Sequence, residues 1–194
     1  QGAELVISHH PLIFSPLKSV TDEKLLRLAR HQIGVISMHT NLDIAKGGVN
    51  DALMAALGAQ VQGGLDECGC GRVGRLDKAM PMEEFLPFCK AVLKTAGLRY
   101  YDSGRPVSKL AVMGGSGGDS LETAYRLGCD TYLTADIKYH QFLEAQELGI
   151  NLIDGDHFCT ENLVTPVLAQ RLRTAFPETE FNISKRHHQV IDFL

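Results

Sequence analysis

The sequence predicts an α/β fold, and three observations carry that reading. Short apolar runs of strand length recur along the chain: Leu5-Val6-Ile7, Val35-Ile36-Ser37-Met38, Lys109-Leu-Ala-Val-Met113, Thr131-Tyr-Leu133 and Ile150-Asn-Leu-Ile153. Stretches with helical spacing of apolar residues separate them, as βαβ units require. Polar residues able to do chemistry fall just past the carboxyl ends of these strands, where α/β sheets gather their ligands.

The first strand stops at His9-His10-Pro11. Side chains alternate along an extended backbone, so neighbouring imidazoles should point opposite ways and could each serve one of two adjacent ions. The plainer alternative is one packed and one solvated loop histidine. Pro16 keeps the following loop from being helical. Thr21 or Asp22 is expected to cap a helix whose Leu25, Leu26, Leu28 and Ala29 face a sheet, with Gly34 ending it. The next strand ends at His39-Thr-Asn-Leu-Asp43, and Asn50 or Asp51 is expected to cap a helix through Leu57. Residues 58–77, rich in glycine and polar side chains, read as a surface connection and an internal boundary.

Pro81 with Glu83 and Glu84 starts a helix toward Ala96, and residues 99–102 suit a short strand. Gly114-Gly-Ser-Gly-Gly118 reads as a loop between a strand and a helix starting at Ser120. Strands ending in Thr134-Ala-Asp136 and Asp154-Gly-Asp-His157 flank a helix from Tyr139 to Leu148. A helix with Leu163, Val164, Val167, Leu168 and Leu172 comes next, and Phe181-Asn-Ile183 and Val190-Ile191 suggest closing strands. Both halves thus place polar residues past strand ends. The expectation is two related α/β lobes facing a shared metal-binding cleft, residues 1–76 and 77–194, with the C-terminal segment free to pack back on the first.

Bulk composition narrows the function class. A net charge of −4 gives no basic footprint for nucleic acid or anionic membrane. No apolar run is long enough to span a bilayer, and the opening residues are not expected to act as a basic, cleavable leader. Five cysteines, an odd number, suit a reducing cytoplasm better than a disulfide scaffold. The chain opens at Gln1 rather than methionine and enters its first strand at Leu5, as a segment of a longer protein would.

Three clusters carry the chemistry: His9-His10, His39 with Asp43, and His157 with Glu161. The last pair, four apart, shares one face if helical. Imidazole and carboxylate without thiolate suit Zn, Mn, Fe or Co. Cys68-Gly-Cys70 has no second pair at zinc-finger spacing. The Gly114–Gly118 run either binds a phosphate through backbone N–H groups or makes a tight turn demanded by packing. Asp136, Lys138 and His140 either line a cleft, with Lys138 meeting a substrate phosphate, or are solvated. His187-His188 reads as surface.

Taken in order, six motifs resemble the Nif-three-like dinuclear-metal proteins, also described as type 2 homologues of GTP cyclohydrolase I. They are Ser8-His-His-Pro-Leu12; His39-Thr-Asn-Leu-Asp43 with Gly47-Gly-Val-Asn-Asp51; Gly71-Arg-Val-Gly-Arg-Leu76; Gly114-Gly-Ser-Gly117; Thr134-Ala-Asp-Ile-Lys-Tyr-His140; and Asp156-His157 with Thr160-Glu161. The resemblance implies two divalent ions held by His9, His10, Asp43, His157 and Glu161, with Glu161 bridging. It also implies two α/β lobes and a ring-shaped homohexamer with the sites facing inward. Two departures stand out: the strand-helix segment that family members usually carry before the His-His strand is missing, and Ala135 replaces a frequent glycine. His39 then suits a supporting or acid–base role, or a histidine hydrogen-bonded to backbone. Gly115, Ser116, Gly117, Lys138 and His140 are the candidate substrate contacts. The function expected is a cytoplasmic, metal-dependent hydrolase acting on GTP, another nucleotide or a phosphorylated small molecule. The alternative is a non-catalytic metal-binding scaffold working through protein partners.

Overall fold

A computed structural model describes residues 2–194, which form two compact units divided between Leu42 and Asp43. The first is a βαβ unit: β1 (Leu5–Ser8), α1 (Glu23–Arg30) and β2 (Gly34–Ser37). β1 and β2 pair in parallel, from Leu5 opposite Gly34 to Ser8 opposite Ser37. Asp22 caps α1, accepting from Lys24 N at 2.8 Å and Leu25 N at 3.2 Å. Glu23 in the first turn and Arg27 and Arg30 in the last complement the helix dipole. His31, not Gly34, closes the helix, and Gly34 opens β2. Leu25, Leu26 and Leu28 are only half-buried; Leu42 is the one buried apolar side chain among the described residues of this unit.

The second unit is built on a six-stranded mixed sheet. Its strands are β3 (Ala59–Gly64), β4 (Arg72–Met80), β5 (Arg99–Tyr101), β6 (Val107–Ser116), β7 (Thr131–Ala135) and β8 (Asn151–Asp154), in the order β3-β4-β6-β7-β8-β5. β6, β7 and β8 run parallel, while β3, β4 and β5 are antiparallel additions. The parallel strands are covered on both faces, and their side chains divide with period two. Leu110, Val112, Leu133 and Ile153 enter one core with Leu53 and Met54 of α3 (Val49–Ala56) and Phe85, Cys89 and Leu93 of α4 (Met82–Leu93). Ala111, Tyr132 and Leu152 enter the other with Leu121 and Ala124 of α5 (Leu121–Arg126) and Ala145 of α6 (Tyr139–Leu148). Full burial of a side chain such as Phe85 or Leu133 contributes roughly 1.5–3 kcal/mol.

Several local expectations are corrected. Residues 58–77 are not a loop: β3 and β4 pair there, and residues 76 and 77 lie inside β4. β3 is a sheet edge, exposed from Gln60 onward, which is why glycine and glutamine suffice in it. The cap of α3 is Gly48, not Asn50 or Asp51, and Asn50 is fully buried inside the helix. The Gly114–Gly118 run is no free loop, because β6 extends to Ser116. Residues 181–183 and 190–191 form no strand; beyond α8 (Val164–Ala175) the chain is irregular.

Candidate metal site

In the first unit β1 ends at Ser8, so the two histidines stand beyond the strand and do not alternate. Ser8 Oγ donates to His10 O at 2.8 Å and turns the chain. The His9 and His10 rings lie 5.2 Å apart, and His39 joins them at 5.2 Å from His9 and 5.4 Å from His10. The three imidazoles offer ligand atoms within 4.8 Å of one another. The expected divergence of His9 and His10 is therefore replaced by convergence, and His39 stands among potential ligands. His9 Nδ1 donates to Met38 O at 2.8 Å, which makes Nε2 the basic nitrogen of the neutral ring.

In the second unit, β7 and β8 pair in register to Thr134 opposite Asp154, so the residues after the two strands emerge side by side. Asp136 comes directly after β7. Asp156 lies two residues past the end of β8 and caps α7 (His157–Glu161), accepting from Cys159 N at 3.0 Å. Asp136 and Asp156 both have left-handed backbones, φ +53° and +72°. Such conformations cost energy in non-glycine residues and persist where surroundings enforce them. Here the enforcement comes from Asp154, buried, which accepts from Ile137 N and Asp156 N at 3.1 Å each and from Arg99.

The result is a histidine held from both sides. His157 Nδ1–H donates to Asp136 Oδ2 at 2.6 Å, and Nε2 lies 3.1 Å from Glu161 Oε1, one helical turn on. The bond to Glu161 foremost, and that to Asp136, push the His157 pKa up to about 9 against the opposing effect of partial burial. A carboxylate behind one imidazole nitrogen is the arrangement that orients a metal-ligating histidine. The sequence marks Asp136 only as a cleft residue; its role comes from the pairing of β7 with β8, which no local pattern displays.

Gly115 meets this pair. Its φ is +69°, and a Cβ there would collide with Glu161 Oε1 and lie 3.2 Å from His157 Nε2. Only glycine permits that approach. Its N–H donates to Thr160 Oγ1 and its carbonyl accepts from Thr134 Oγ1, both at 3.0 Å, locking β6 to α7 and β7. Gly117 is equally confined, with Thr134 Oγ1 2.5 Å from where a Cβ would stand. Close packing thus requires the glycines. Ser116, Lys138 and His140 are exposed, and Lys138 N donates to Gln141 Oε1 at 2.9 Å at the start of α6.

Asp43 lies in the short helix α2 (Thr40–Ile44), half-buried, with its carbonyl accepting from Asn50 Nδ2 at 3.1 Å; Asn50 Oδ1 accepts from Gly114 N at 2.9 Å. Buried Arg72 supports the end of α2, donating to Ile44 O at 2.9 Å and pairing with Asp51. The chemistry of these donors, imidazoles and carboxylates, suits a divalent transition metal. Among the described residues no helix is long and apolar enough to cross a membrane.

Comparison with known proteins agrees with the resemblance. Residues 1–190 match the profile of the Duf34/NIF3 (NGG1p interacting factor 3) family. A Clostridium perfringens protein named GTP cyclohydrolase 1 type 2 homolog is 34% identical over 206 residues, covering 100% of this chain and 79% of its own length. A Nostoc protein of the same name is 37% identical over 187 residues, covering 89% and 70%. The fold matches the crystal structure of a Bacillus cereus protein related to NIF3, with a TM-score of 0.88 and 22% identity over 100% of this chain and 84% of that one. The chain belongs to the Duf34/NIF3 family.

Proposed function

We propose that the protein is a dinuclear, divalent-metal-dependent hydrolase acting on a nucleotide or phosphorylated small molecule, with His9, His10, Asp43, His157 and Glu161 as ligands. The observation that carries the reading is His157, backed by Asp136 and facing Glu161 across a space that Gly115 leaves free of any side chain. Two bound cations would lower the pKa of a water between them and polarise the bond under attack. Glu161 is the candidate bridging carboxylate. Asp136 holds the His157 ring in the tautomer that presents Nε2, and Met38 O does the same for His9. His39, beside His9 and His10, completes the imidazole cluster or carries a proton.

GTP enters as a substrate candidate because relatives bear the name GTP cyclohydrolase 1 type 2 homolog. The resemblance also supports a homohexamer. The test is to load metal-free protein with zinc, manganese, iron(II) or cobalt and to screen GTP, other nucleotides and sugar phosphates for product. Turnover that needs added metal and vanishes in Glu161→Gln supports the hydrolase. Loaded protein that turns over none of them, yet captures a protein partner equally well as Glu161→Gln, favours the scaffold reading instead.

A further inference from the structure

Beside His157 lies a cavity of about 200 Å³, lined by Gly97, Arg99, Asp136, His157, Ile191 and Phe193 among others. Its far wall is the irregular C-terminal strap, and that strap is anchored rather than loose. Gln189 Nε2 donates to Asp156, and Gln189 Oε1 accepts from Val190 N at 2.7 Å and Ile191 N at 2.9 Å. The His187 ring meets Phe158 edge-on at 5.0 Å. Phe193 lies so close to Gly97 that a Cβ there would be 2.7 Å from its ring. The wall is therefore apolar and aromatic.

The polar side of the cavity is uneven. Asp154 accepts from Arg99 and two backbone N–H groups, Asp156 from Cys159 N and Gln189, and Asp136 from His157. Arg99 differs. Its bonds to Asp154 and to Ile137 O (2.9 Å) both use Nη2, while Nε–H and the Nη1 hydrogens have no hydrogen-bond partner among the described residues. With 58% of its side chain exposed, the guanidinium is the group with donors to spare.

We propose that this cavity is a substrate-recognition subsite. It takes a small organic acid whose carboxylate or phosphate meets Arg99 and whose ring or apolar portion lies against Phe193 and Ile191. The assignment rests on the reading that His157 serves the reacting centre, and it makes Phe193 and Arg99 specificity-determining residues. Charge-assisted bonds to a guanidinium supply the acid's share, and burial against the aromatic wall supplies the rest.

The test uses metal-free protein, so that bound cations cannot capture the acid themselves. Benzoate and phenyl phosphate are titrated by calorimetry against acetate and inorganic phosphate, in wild type, Phe193→Ala and Arg99→Gln. The aryl acids should bind about tenfold more tightly than their small counterparts, and Phe193→Ala should erase that preference while leaving the small anions unchanged. Arg99→Gln should weaken both aryl acids by about tenfold. The better of the two aryl acids tells carboxylate from phosphate as the natural group. Equal binding of aryl and small acids, or an undiminished preference in Phe193→Ala, overturns the subsite. If Arg99→Gln fails to fold, Phe193→Ala decides alone. Metal content of preparations reconstituted in parallel separates the two ideas. Aryl recognition without metal uptake leaves an aryl-acid binding site but removes the hydrolase and with it the site's role as a substrate subsite. Metal uptake without aryl recognition leaves the metal site and overturns the subsite.

Discussion

The two units carry their candidate ligands on very different foundations. In the second, His157 and Glu161 sit on a helix tied by Thr160 to β6, over strands buried on both faces. In the first, His9, His10 and His39 stand at the ends of two four-residue strands, and α1 buries no residue fully. A two-stranded sheet of that size has little independent stability. Backbone-directed bonds from Ser8 and His9, rather than a core, hold the imidazoles together. Ligand geometry in the second unit is thus a product of packing, whereas in the first it depends on local hydrogen bonds and on whatever the imidazoles bind. A metal that binds only the folded arrangement stabilises it by mass action, so the first unit should gain most from loading.

The sharpest contrast should come from matched leucines. Leu133→Ala, at a fully buried position of β7, should cost about 2–5 kcal/mol in chemical denaturation followed by circular dichroism. Comparable losses at half-buried Leu28 in α1 would break the contrast. Next comes Gly115→Ala, which combines a left-handed backbone with a collision against Glu161. Its expected cost is about 1–3 kcal/mol of stability, together with lost metal binding. A variant that keeps wild-type stability and metal affinity would show that β6 and α7 are less tightly coupled than the contacts indicate.

Asp136→Asn should leave the fold intact and lower metal affinity about 10–100-fold, read by competition with a chelator. It also has a proton signature. His157, with a pKa near 9, is protonated at pH 7 in the metal-free protein and must lose its Nε2 proton to become a ligand. Metal uptake at pH 7 should release that proton. In Asp136→Asn, with one of the two carboxylates that raise the pKa neutralised, the release should fade at a lower pH than in wild type, where it persists toward pH 9. The smallest effect should be that of Leu28→Ala, below about 1 kcal/mol, as expected for a half-exposed site.

How much of the fold and the site is legible in the sequence depends on how local each feature is. The strand and helix alternation and the pairing of His157 with Glu161 come from period and i,i+4 spacing, and both are present in the structure. His9 and His10 depart from expectation by one step, because alternation applies only while a strand lasts and β1 stops at Ser8. The β3–β4 pair is hidden by glycines and glutamines that an edge strand tolerates. The glycine run that resembles a loop is the end of β6, through Ser116, and the turn after it, pressed against neighbours, a constraint set by Glu161 and Thr134 from later in the chain. Asp136 is the least legible. Its partner is 21 residues away, and only the register of β7 against β8 brings them together.

Bound metal per chain tests the dinuclear site most directly, measured by elemental analysis after purification and reconstitution for wild type, His10→Ala and Glu161→Gln. About two ions per chain are expected in wild type and a clear loss in each variant, since each substitution removes one of the proposed ligands, His10 from the first unit and Glu161 from the second. Wild-type protein that stays folded and takes up no metal, or variants that both keep the full complement, would contradict it.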